Sequence, residues 1–61
     1  MREFVLYGLD ESGAVKSTER FSGMGDAEMR RIADNRLEAF ARVEVWEGTI
    51  CVIRLNRRKP R

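Results

Sequence analysis

The chain of 61 residues contains no histidine, one cysteine and one proline. Without an imidazole there is no Ser-His or Cys-His nucleophile, no histidine base and no ordinary zinc site. A lone Cys51 closes no internal disulfide, which removes the stapled secreted mini-proteins. No apolar run approaches the ~20 residues of a membrane span. Arg2, Glu3 and Asp10 crowd the one apolar stretch near the start too closely for a signal peptide. These absences predict a soluble, cytoplasmic domain. At this length there is one hydrophobic core at most, near the lower limit for burial alone to hold a fold.

Charge is plentiful, at 36% of residues, and it is unevenly placed. Arg54, Arg57, Arg58, Lys59 and Arg61 bring five positive charges and no acid into the last eight residues. The other 53 residues then hold seven basic and ten acidic side chains, a net −3. The pI of 9.2 therefore describes a basic tail on a mildly acidic body. A basic face spread over the fold would argue for a nucleic-acid surface, and an end-loaded charge argues for it far less.

Glu3–Leu9 reads as a strand with apolar residues at both parities, suited to a central strand buried on both faces, or with one face on a core and one against a partner. Asp10, Glu11, Ser12 and Gly13 form a turn, since Asp bonds nearby backbone N–H groups and Gly accepts positive φ. Beyond it the pattern alternates, with Val15, Ser17, Glu19 and Phe21 on one face and Lys16, Thr18 and Arg20 on the other. That is an edge strand whose charges discourage stray pairing, and it completes a first hairpin.

Residues 22–25 break the strand, and Asp26 is the N-cap candidate of a helix. Met29, Ile32, Ala33, Leu37 and Phe40 recur at helical spacing, and the spacing predicts an end between Leu37 and Ala41. Asp26–Arg30 and Arg30–Asp34 are candidate i,i+4 ion pairs. Residues 43–46 and 49–55 then make a second hairpin across Glu47-Gly48. A two-residue loop would pair Val45 with Ile50 and Val43 with Val52. A three-residue loop would pair Val45 with Cys51 and Val43 with Ile53, gathering Cys51, Ile53 and Leu55 on the core face, and this register is preferred. The expected fold is α+β, ββαββ, a four-stranded antiparallel sheet with one helix on one face. It spans residues 1–55, with 56–61 a disordered basic tail.

One helix covers one face of such a sheet, so the opposite face shows apolar side chains drawn from Val5, Tyr7, Trp46 and Val52. Most of the ten acids fall on turns or the solvated helix face, with no pair set at catalytic spacing. Gly23, Met24 and Gly25 before a helix faintly suggest a phosphate loop. The Gly-Lys-Ser/Thr ending is missing, and Asp26 puts a negative charge where a phosphate would sit. Cys51, between Ile50 and Val52, reads as a small core hydrophobe. Trp46 reads either as a cap of the sheet end against the helix or as an exposed anchor.

In its aromatic strand (4–9), Asp-x-x-Gly turn (10–13), acid-started helix (26–37) and Val-Glu-Val-Trp-x-Gly hairpin (43–48), the chain resembles short uncharacterised alphaproteobacterial proteins. Ten arginines against two lysines fit a GC-rich genome. The resemblance implies a fold and a bacterial source, with no activity, cofactor or catalytic residue attached. The basic tail stands outside the shared pattern.

The sequence thus leads to a non-enzymatic interaction module without cofactor, metal or membrane, self-associating as a homodimer or meeting a protein partner through Val5, Tyr7 and Trp46. The rival reading is a nucleic-acid-binding module. In it Arg54, Arg57, Arg58, Lys59 and Arg61 act as an electrostatic arm, and Tyr7 or Trp46 as a stacking platform.

Overall fold

The computed structural model describes residues 2–57. Five elements follow in the order β1 (Glu3–Leu9), β2 (Val15–Ser22), α1 (Asp26–Arg36), β3 (Arg42–Glu47) and β4 (Ile50–Asn56). The strands form one antiparallel sheet in the order β2-β1-β3-β4, so each hairpin supplies one edge and one central strand. This is the expected ββαββ fold. β4 runs one residue past the expected end of the domain, and Arg57 N donates beyond it to Ala41 O at 2.8 Å.

The core lies between the sheet and α1. Phe4, Leu6, Val43 and Val45 from the two central strands meet Met29 and Ala33 of the helix, all fully buried. Phe21, Met24, Ile32, Leu37, Phe40, Ile53 and Leu55 close the margins. The helical stripe read from the sequence is therefore the face that packs. Gly8 continues the inward row of β1 because Phe40 lies flat against it: a Cβ there would fall 2.5 Å from the ring.

The N-cap lies one residue before the expected one. Gly25 is the N-cap, and its N–H is accepted by the Glu28 carboxylate at 2.9 Å. Asp26 is the first helical residue, where its charge still favours the helix dipole. It turns to Arg2 at 2.9 Å, and neither Asp26–Arg30 nor Arg30–Asp34 closes as an ion pair among the described residues. Arg2 is the better partner because two bonds to Glu47, each 2.9 Å, already hold it over the Phe4 ring. The regular helix stops at Arg36, and tighter turns carry the chain to Phe40.

Two β-bulges decide which side chains share a face. Between β1 and β2, Gly8 pairs with Ser17 but Leu9 pairs with Val15, so Lys16 is an extra residue. Val15 therefore moves to the face opposite Ser17, Glu19 and Phe21, correcting the simple alternation. Between β3 and β4 neither expected register forms. Glu47 pairs with Ile50 across a two-residue loop whose Gly48 has φ +62°, the only positive φ in that loop and the pattern of a type II′ turn. Trp46 then pairs with Cys51, and after a bulge at Val52, Val45 pairs with Ile53 and Val43 with Leu55. Ile53 and Leu55 reach the core as expected. Cys51 does not: it is half-buried, opposite Trp46, with Sγ 3.4 Å from Ile53 O.

Candidate interaction face

The side of the sheet away from α1 is built by the alternate residues of the same strands. Val5, Tyr7 and Leu9 of β1 lie beside Arg42, Glu44 and Trp46 of β3. β2 adds Arg20 opposite Val5, Thr18 opposite Tyr7 and Val15 opposite Leu9. β4 adds Arg54 opposite Glu44. Val5, Tyr7 and Trp46 are thus brought together, with Val5 directly opposite Trp46 and Tyr7 diagonal to it. All three are half-buried by their neighbours in the sheet, and α1 packs on the other side. Trp46 is no cap against the helix, because it alternates with the buried Val45. Val52, the fourth apolar candidate, is absent from this face: the bulge carries it to the helix side, beside Ile53, Arg2, Asp26 and Arg30.

Val5, Tyr7, Leu9, Val15, Glu44, Trp46 and Gly48 line an open recess of about 320 Å³. Its floor is Leu9, buried, and its wall at the β2 edge is Val15, 54% exposed. Glu44 is the acid at the centre of the face, with a side chain 15% exposed. Trp46 Nε1 donates to its Oε1 at 3.1 Å, and the guanidinium groups of Arg42 and Arg54 approach its Oε2 at 4.0 and 3.7 Å. The carboxylate thus orients the indole and draws two arginines inward over the sheet. Sequence reading missed Leu9, Val15, Arg20 and Glu44 as members of the face. The parity of Glu44 with Trp46 was available to find Glu44, whereas Val15 arrives only through the bulge at Lys16.

Of the residues proposed as an electrostatic arm, Arg54 approaches Glu44 at 3.7 Å with its side chain 60% exposed, and Arg57 lies with Asp10 and Glu11 around a recess at the sheet end. Arg58, Lys59 and Arg61 lie outside the described residues. At the start of α1 the Glu28 carboxylate accepts the Gly25 N–H and Asp26 adds a second carboxylate, so the local charge disfavours an anion.

The perturbed titrating groups lie elsewhere and have structural partners. A bidentate pair with Arg36, at 2.7 and 2.9 Å, ties β2 to the helix and holds the Glu19 carboxyl below the usual carboxylate range. Hydrogen bonds from Arg2 lower Glu47 in the same way. Asp10 is lowered by donors from Ser12 and Ala14, which close the turn read from the sequence. Among the described residues no three His, Cys, Asp or Glu side chains gather as a metal site, and no helix is long and apolar enough to cross a membrane.

Comparison with protein-family models, with curated proteins and with solved structures finds no match for this chain.

Proposed function

We propose that this protein is a non-enzymatic interaction module that self-associates through the helix-free face of its sheet, with Val5, Tyr7 and Trp46 at the contact centre. The observation that carries the reading is the joining of these three side chains with Leu9 and Val15 into one apolar stripe on the face that α1 leaves open. A domain this small has little apolar surface to spare for solvent, and a contiguous stripe of this kind favours association. The charges around it are of both signs, Glu3 and Glu44 with Arg20, Arg42 and Arg54, so two copies of the face can complement each other. The same reading assigns a cytoplasmic setting, supported by a single free cysteine.

Nucleic-acid binding is the weaker reading on this face. The arginines beside Tyr7 and Trp46 would meet phosphates, but Arg42 and Arg54 turn toward Glu44, and a carboxylate amid the platform repels a polyanion.

Sedimentation equilibrium of the full chain from micromolar to millimolar concentration tests the proposal. The expected result is a reversible dimer, weakened at least tenfold by Trp46→Ala or Tyr7→Ala. A monomer at every concentration overturns it. So does tight, salt-sensitive binding of a single-stranded oligonucleotide that Trp46→Ala abolishes.

A further inference from the structure

The two edges of the sheet are unlike. β2 carries Lys16, Glu19 and Arg20, the charged side chains that keep an edge from pairing. β4 carries one charge, Arg54, and it is drawn back over the sheet toward Glu44 at 3.7 Å. Of the three large hydrophobic residues left exposed among the described residues, Ile50 (65%) and Val52 (39%) belong to β4 and Val15 (54%) to the start of β2.

The backbone of β4 shows which groups the open edge presents. Arg57 N donates inward to Ala41 O at 2.8 Å. The register between that bond and the bulge is regular, with Asn56 opposite Arg42, Leu55 opposite Val43 and Arg54 opposite Glu44. Hydrogen-bonding direction alternates along an antiparallel strand, so the N–H and C=O groups of Arg54 and Asn56 point away from β3, out of the sheet. The bulge at Val52 ends this regular stretch on its other side.

We propose that β4 pairs antiparallel with β4 of a second copy about a twofold axis at Leu55. Arg54 of each copy then exchanges both backbone bonds with Asn56 of the other, and Leu55 faces Leu55. No like charges stand directly opposite in this register, the two Arg54 side chains being diagonal, whereas an axis at Arg54 would set the guanidinium groups opposite each other. A second copy is the occupant because isologous pairing uses the open edge of both molecules and leaves the charged β2 edges as the ends of a closed eight-stranded sheet. Both helices fall on one side, and the two Tyr7–Trp46 faces become continuous on the other. The inference rests on the self-association proposed above but sets a second contact apart from the face, one that Trp46→Ala leaves intact.

Hydrogen exchange of the full chain, read by amide at low and high protein concentration, tests the pairing. On association the Arg54 and Asn56 amides are expected to slow at least tenfold, while the β2 edge is unchanged. Asn56→Pro removes an outward N–H with no backbone bond inside the chain, and should weaken the dimer at least tenfold. Asn56→Arg, which sets a like charge opposite Arg54 of the other copy and also against Arg42 within the chain, should weaken the pairing by more than it lowers the monomer's urea midpoint, and Asn56→Gln should not weaken it. Association without slowing at Arg54 and Asn56, or indifferent to Asn56→Arg in a folded protein, overturns the edge pairing and leaves the face reading standing. A monomer throughout overturns both.

Discussion

The two faces of this sheet are drawn from the same four strands and meet opposite fates. On the helix side Phe4 and Leu6 vanish from solvent, while one residue along the same strand Val5 and Tyr7 remain half-buried. The difference lies in what is laid on top, since both sets are apolar. The helix side is closed by Met29 and Ala33 and fastened at its margins by Arg36–Glu19 and by Arg2, which bridges Glu47 and Asp26. The open side is organised around Glu44, which takes a hydrogen bond from Trp46 and has the exposed Arg42 and Arg54 side chains nearby, without covering any of them. One face stores the stability of the fold, and the other displays a fixed pattern of aromatic and charged groups.

Truncating one apolar side chain to alanine on each face gives the largest expected contrast. Leu6→Ala leaves a cavity against the helix and should cost about 2–5 kcal/mol, whereas Val5→Ala on the open face should cost about 1 kcal/mol or less. Urea unfolding at a concentration where the protein is monomeric measures both, and comparable losses would erase the distinction between the faces. Gly8→Ala comes next. The added methyl meets the Phe40 ring, and the repacking of the turn after α1 should cost roughly 1–3 kcal/mol.

The smallest effect concerns the Arg36–Glu19 fastening. Both side chains are about a third exposed, so Glu19→Gln should cost only ~0.5 kcal/mol. Its sign with pH is more telling. Glu19 titrates lower in the folded chain than in the unfolded one, so its contribution is present above the ordinary carboxylate pKa of ~4.3 and is lost as pH falls through the folded value. Glu47 and Asp10 follow the same direction. Stability should thus decline on acidification below about pH 4, and Glu19→Gln should shallow that decline; an unchanged slope would show that the pair does not help hold the helix to β2.

Much of this architecture could be read from local chemistry. The Asp10 turn, the Met29–Ala33 stripe and the alternation around Val43 and Val45 each depend on neighbours within a few residues. The grouping of Val5, Tyr7 and Trp46 followed from parity along two central strands. What escaped the reading lies at the bulges and at contacts between distant segments. Val15 and Cys51 changed face, Val52 moved to the helix side, and Asp26 found Arg2 in place of Arg30.

The sequence by itself determined the order of elements, the helix's packing stripe and the presence of a sheet face that one helix leaves open. These follow from periodicity, turn chemistry and the shortage of chain. Only the tertiary structure decided the strand order, the two registers and the residues around Glu44. A register is chosen by the fit of one strand against another under the constraint of a shared core. Setting Ile53 and Leu55 against Val45 and Val43 while keeping a tight turn at Gly48 required one extra residue, and that residue sent Cys51 to the side of Trp46.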